Sequence, residues 1–172
     1  MIFLSNMAHL ALCLFCAMSV LAASRPPTPF IDKGGCPFEG CVYREWTVIK
    51  ETKLLDRPNG RRIRILHTGD YVTGLTGEVH SIPVLVHALE NVPDPDHSGR
   101  TAIPKGAPFY LLHYLGEGNY LAWYFGKLVA VENFEEPRAL PKEIWWVKVK
   151  TAKGVTGWAL SNRNFDGQDR YG

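Results

Sequence analysis

The chain has 172 residues, of which 46% are hydrophobic, 12% aromatic and 21% charged, which excludes a disordered polymer, a coiled coil and a polytopic membrane protein. Nineteen Lys and Arg against 17 Asp and Glu leave a formal net charge of +2, so no one-signed field marks nucleic acid as a partner. Sixteen Gly, 12 Pro, 8 Phe, 7 Tyr and 5 Trp suit short strands joined by many turns.

Residues 1–23 contain no Asp, Glu, Lys or Arg, and Leu10 to Ala23 is apolar or small apart from Ser19. Ala22, Ala23 and Ser24 then offer a small-residue cleavage site before Pro26 and Pro27, the layout of a secretory signal, although without the usual basic start. An uncleaved anchor is the alternative, since about 20 apolar residues can span a bilayer. Lipidation is excluded, because Leu12 precedes Cys13 and Phe15 precedes Cys16 where a small residue is required. The expected location is secreted or periplasmic. Of the four cysteines, Cys36 and Cys41 follow this segment. In an oxidising compartment they predict a local disulfide that pins a turn; so short a loop stabilises little by chain entropy. Their spacing is neither that of a thioredoxin-like redox pair nor, without a second pair, that of a zinc site.

Residues 24–45 read as an extended leader. Trp46 to Ile49 is rich in strand formers, and Leu54-Leu55 leads into the turn Arg57-Pro58-Asn59-Gly60. Ile63 and Ile65 alternate with Arg62 and Arg64 in a half-buried strand. The turn His67 to Asp70 precedes Tyr71-Val72 and Leu75, and a further strand is expected over Ile82 to Leu89. Pro93 to Gly99 is the clearest loop, because proline blocks ladders and Asp, Ser and Gly favour turns. Phe109 to Leu115 and Tyr120 to Phe125 flank the four-residue connection Gly116 to Asn119. Asn133 to Pro141 is a surface loop, and Trp145 to Thr151 and Val155 to Leu160 form a hairpin around Lys153-Gly154. No stretch after the signal holds helical apolar spacing; the predicted fold class is all-β.

Two stretches resemble bacterial SH3-like (SH3b-type) domains. Val48-Ile49, Leu54, Pro58-Asn59-Gly60, Ile65-Leu66 and Gly69-Asp70-Tyr71-Val72 are similar to the family's opening strands and turns. Trp146-Val147-Lys148-Val149 with Gly154-Val155-Thr156-Gly157-Trp158 resembles its closing hairpin. Cys36 to Cys41 and Phe109 to Gly118 are also similar to small secreted bacterial proteins of SH3-like fold and unassigned activity. The two stretches lie too far apart for one minimal barrel. Two packed SH3-like barrel units, residues 46–100 and 101–172, are therefore expected; one barrel with a long insertion from Gly77 to Glu143 is the alternative. The resemblance implies binding of a cell-wall peptide, glycan or envelope protein, but a fold does not fix a function.

Strict alternation places Trp145, Val147 and Val149 on one face and Trp146, Lys148 and Lys150 on the other. With the valines inward, Trp146 beside two cations suits stacking and charge-assisted contacts to a sugar or carboxylate. Tyr110, Trp123 and Tyr124 are expected to wall the groove, so the candidate ligand-binding set is Trp146, Lys148, Tyr124, Tyr110 and Trp123. His113, on a strand apolar on both faces, reads as a hydrogen-bonded core residue. His80 and His87, seven apart, do not converge, and no metal or other cofactor is expected. Asn162, Asn164, Asp166 and Gly167 imitate the start of a calcium loop but lack its terminal Glu, and read as a polar turn, with weak calcium binding helped by Asp169 as the alternative. No nucleophile elbow or glycine-rich phosphate loop occurs. The expected function is non-catalytic binding, with an envelope hydrolase using His113 or His80 and a carboxylate, or a structural subunit of an envelope complex, as alternatives.

Overall fold

The structure, a computed structural model, describes residues 25–171; the expected secretory segment, 1–23, lies outside the described residues. The strands are β1 (Phe30–Lys33), β2 (Glu45–Val48), β3 (Thr52–Leu55), β4 (Arg62–Leu66), β5 (Tyr71–Ile82), β6 (Val84–His87), β7 (Val92–Pro93), β8 (Thr101–Ile103), β9 (Pro108–Gly116), β10 (Asn119–Tyr124), β11 (Lys127–Val131), β12 (Lys142–Thr151), β13 (Thr156–Leu160) and β14 (Phe165–Asp166). The described chain is all-β.

Eight strands form a curled half-barrel in the order β14-β2-β5-β12-β13-β3-β4, with β1 also on β5. The twelve-residue β5 carries β12 along one edge, from Val72 to Ile82, while β2 and β1 share the other edge end to end. Between β5 and β12 the chain forms a second sheet, β11-β10-β9-β6, and the small ribbon β7-β8. The expected division at residue 100 is therefore corrected. β6 and β9 come from opposite sides of that boundary and pair, as do β5 and β12. The proline-rich 93–99 segment is a turn closed by the amide of Asp94 donating to the Arg100 carbonyl, at 2.9 Å. The composition of a hairpin tip is that of a linker, so the sequence pattern does not separate them. The strand expected over Ile82 to Leu89 is likewise split at Pro83, which has no amide for a ladder.

One core gathers Trp46, Val48, Leu54, Leu66, Val79, Trp145, Val147 and Val149 inside the half-barrel. Two glycines of β5 make room for its indoles: a methyl at Gly74 would sit 2.5 Å from a ring carbon of Trp46, and one at Gly77 would collide with Tyr43 and Trp145. The second core surrounds Phe109, Leu111, Ala122, Val129 and Ile103. Cys36 and Cys41 form the expected disulfide, with Cα atoms 6.0 Å apart, and pack on the first core.

Three side-chain contacts of defined geometry are among those that join the sheets. Phe30 of β1 meets Trp123 of β10 edge-on at 6.0 Å. The amide of Tyr114 donates to Glu143 Oε1 of β12 at 2.8 Å. The third is His113 of β9, fully buried, whose Nδ1 lies 2.9 Å from the Tyr114 carbonyl and whose Nε2 lies 2.9 Å from Asp32 Oδ2 of β1. A carbonyl and a carboxylate both accept, so the imidazole satisfies both as the doubly protonated cation. Burial alone favours the neutral ring, but the bonds to Asp32 and Tyr114 and the charges of Asp32 and Glu143 outweigh it and hold the pKa above 6.5. A proton held more tightly in the folded state stabilises below the unfolded pKa, and that stabilisation is lost as pH rises through the folded value. Glu143, pushed above 4.5 by burial against the opposing Tyr114 amide and His113 charge, has the same sign in a lower window. Melting temperature measured from about pH 6 upward is expected to fall. Asp32→Asn, whose amide donates to a neutral imidazole, is expected to flatten that slope above pH 6.5 while the protein stays folded; an unchanged slope would remove His113 as its source.

Candidate functional site

The expected binding residues do not assemble into one site. Trp146 and Lys148 lie on β12, whereas Tyr110, Trp123 and Tyr124 lie on β9 and β10 of the other sheet. Trp146 is only 7% exposed: the curl of the sheet brings β3 against it, and it shares a small concavity with Thr52, Lys53, Leu55 and Leu160. Sequence alternation gives the face but not the curl, which explains the correction. Lys148 stands 6.0 Å from the Trp158 ring centroid on the neighbouring strand, a cation–π contact within the sheet. Tyr110 and Trp123 are directly paired and half-buried, and Trp123 rests on Phe30. Tyr124 turns to the opposite face, packs on the Phe109 core and meets Phe125 edge-on at 4.8 Å.

An aromatic and polar concavity of about 500 Å³ lies instead where the disulfide turn, the start of β12 and the C-terminal segment meet. Of its three aromatic residues Phe38 is the partly exposed one, edge-on to Trp145 at 5.6 Å, while Trp145 and Phe165 belong to the core and offer the groove only their edges. Its polar side chains are Glu143, Ser161, Arg163, Asp166, Gln168 and Asp169. The segment carrying them is tied down along its length. Asn164 donates to the Leu160 carbonyl at 2.9 Å and the Ile49 amide donates to the Asn164 carbonyl at 2.9 Å. Arg44 donates to the Gly167 and Asp169 carbonyls at 3.1 and 2.9 Å, and Ser161 and Gln168 bond through their side chains at 3.0 Å. The Arg170 amide reaches the Gly40 carbonyl of the disulfide turn at 2.8 Å. Asn164, which imitated a calcium ligand, thus has its amide turned to protein oxygens, and no cluster of three metal-binding carboxylate, imidazole or thiol groups occurs among the described residues.

Arg163, Asp166 and Asp169, which line this groove, are not among the expected binding residues. They sit in a segment without periodicity, and only the pairing of β14 with β2 brings them beside Trp145. The histidines do not reach this groove. His113 is enclosed, and His80 is bonded to Glu78 at 2.9 Å on the same strand. His87 and Glu135, 3.0 Å apart, do share a separate groove of about 570 Å³. No hydroxyl or thiol lines it, so that pair has no side-chain nucleophile to activate.

Fold and site together define an open all-β half-barrel with an inserted four-stranded sheet and a preorganised aromatic and polar groove. No family model, curated protein or solved structure matches the chain.

Replacing Trp146 by Ala is expected to cost about 3–5 kcal/mol of stability, the range for a buried large aromatic, in chemical denaturation. A loss under about 1 kcal/mol would mean that the indole is not packed.

Proposed function

We propose that the protein is a secreted, non-catalytic binding module of the SH3-like type, and that it holds a cell-envelope glycan in the groove beside Trp145. The observation that carries this reading is the groove itself: the partly exposed Phe38 ring beside the edges of Trp145 and Phe165, together with three carboxylates, a guanidinium, an amide and a hydroxyl. Sugar rings present C–H faces that pack on aromatics and hydroxyls that both donate and accept, the pairing such a ring and rim satisfy. Because the rim is fixed by backbone bonds before any ligand arrives, little ordering entropy opposes binding. The Cys36–Cys41 bridge fits an oxidising compartment.

Co-sedimentation of the processed chain with purified peptidoglycan, at low and high salt, tests this. Binding that persists in high salt and falls about tenfold or more in the Arg163→Ala/Asp166→Ala protein, through lost hydrogen bonds to charged groups, is the expected result. Binding abolished by salt alone would reduce it to charge attraction, and no binding would overturn the glycan reading. Replacing both Cys36 and Cys41 by Ser is expected to cost about 2 kcal/mol by chain entropy. It is also expected to weaken sedimentation, because the turn they close carries Phe38; unchanged binding would place Phe38 outside the contact.

A further inference from the structure

The strand β4 ends the half-barrel sheet: it pairs with β3 and with no other strand. Its outer edge therefore presents backbone amides and carbonyls that the sheet does not use. The ladder with β3 shifts register here and skips Ile63, so strict alternation breaks: Arg64 stands opposite the core residue Leu54 and Arg62 opposite Leu55, on the two faces of the sheet. Arg62, Ile63, Arg64 and Ile65 nonetheless line a single concavity of about 710 Å³, together with His67, Asp70 and Lys153. Side chains of both faces bound one space only when that space runs along the strand's edge.

The charge of this edge is strongly biased. Between Lys50 and Arg64 there are six Lys and Arg residues against Glu51 and Asp56, in a chain whose net charge is only +2. Among the described residues, every ion-pair contact within 4.0 Å involves a histidine, and no arginine or lysine stands that close to a carboxylate. Asp70, the one carboxylate lining the concavity, already accepts the His67 amide at 2.9 Å. Arg62, Arg64 and Lys153 thus face the slot with their charge uncompensated.

We propose that the open edge of β4 is a docking site for an extended acidic peptide. The peptide adds as a further antiparallel or parallel strand, its backbone completing the unused hydrogen bonds of β4. Its acidic side chains meet Arg62, Arg64 and Lys153, which border the slot from both faces of the bulged strand, and its small apolar ones lie against Ile63 and Ile65. A polyanionic glycan would use the charges but leave the edge amides and carbonyls unanswered, so the peptide is the occupant that fits both features. This site is distinct from the Trp145 groove, with which it shares no lining residue.

The probe is a fluorescein-labelled, end-blocked peptide of about eight residues in Glu-Glu-Val-Val repeats, which carries acid on both faces, titrated with the processed chain and read by anisotropy. Saturable binding is expected, weakened about tenfold by Arg62→Ala/Arg64→Ala, the size of two partly exposed charge contacts. A melt shows that the variant remains folded. Two further peptides carry N-methyl groups on one or the other alternate set of backbone amides. Strand addition requires that one set abolish binding and the other leave it, because only one set faces β4. Equal behaviour of the two, or binding of heparin without binding of the peptide, would overturn the proposal. So would no binding of either, in which case the arginines only guard the edge against association.

Discussion

The pairing of β5 with β12 is the constraint on which the remaining architecture rests. It brings together strands separated by the entire second sheet, and its ladder runs from Val72–Thr151 to Ile82–Lys142. Every other member of the half-barrel is placed relative to it: β2 and β1 line up along the free side of β5, and β13 carries β3 and β4 away from β12. The face shared by Val79, Trp145, Val147 and Val149 becomes core only because this pair is formed. Gly74 and Gly77 serve the same pair, since side chains there would displace the indoles that fill its inner surface.

Polar groups then fix what apolar burial leaves free. The buried His113 binds β9 to β1 with directional contacts that hydrophobic packing does not supply. Each of the five described histidines stands beside a carboxylate: Glu51, Glu78, Glu135, Asp94 or Asp32. The exposed members of this set are screened by water and contribute little, whereas the enclosed His113 is not. At the groove, the Arg44 side chain donates to the Asp169 carbonyl, the Asn164 side chain to the Leu160 carbonyl and the Val42 amide to the Gln168 carbonyl, and these bonds hold a segment without regular structure in one shape.

Local order was legible in the sequence. Alternation in Trp145 to Lys150 identified Trp145, Val147 and Val149 as core, and the apolar character of both faces around His113 identified an enclosed central strand. The turn expected over Arg57 to Gly60 forms, closed by the Gly60 amide on the Arg57 carbonyl at 2.9 Å, with Pro58 and Asn59 rather than Asn-Gly as its central pair and Asn59 at φ 56°. What was not legible is non-local. Pro83 marks a break within Ile82 to Leu89, but nothing there says that the strand before it pairs with β12 and the one after it with β9. The leader around Phe30 has too few residues to reveal a strand before its partner β5 is known. Trp146 was misplaced for a related reason: alternation is one-dimensional, whereas burial on the outer face depends on how sharply the sheet curls. The groove drew its residues from the disulfide turn, β12 and the C-terminal segment, and no spacing rule spans such distances.

The inserted sheet also sets an order of assembly. Its strands β9, β10 and β11 are sequential neighbours joined by tight turns, so they close small loops and lose little chain entropy in doing so. β5 and β12 meet only across the whole insertion. Once the insertion is compact, the two ends of that long loop leave from opposite edges of a four-stranded sheet, roughly 14 Å apart at the usual strand spacing. The segment 132–141 is long enough to return the chain to β5. The meander therefore acts as a preformed spacer that shortens the search for the half-barrel's central ladder, and a circularly permuted chain opened within it would have to find that ladder without such help.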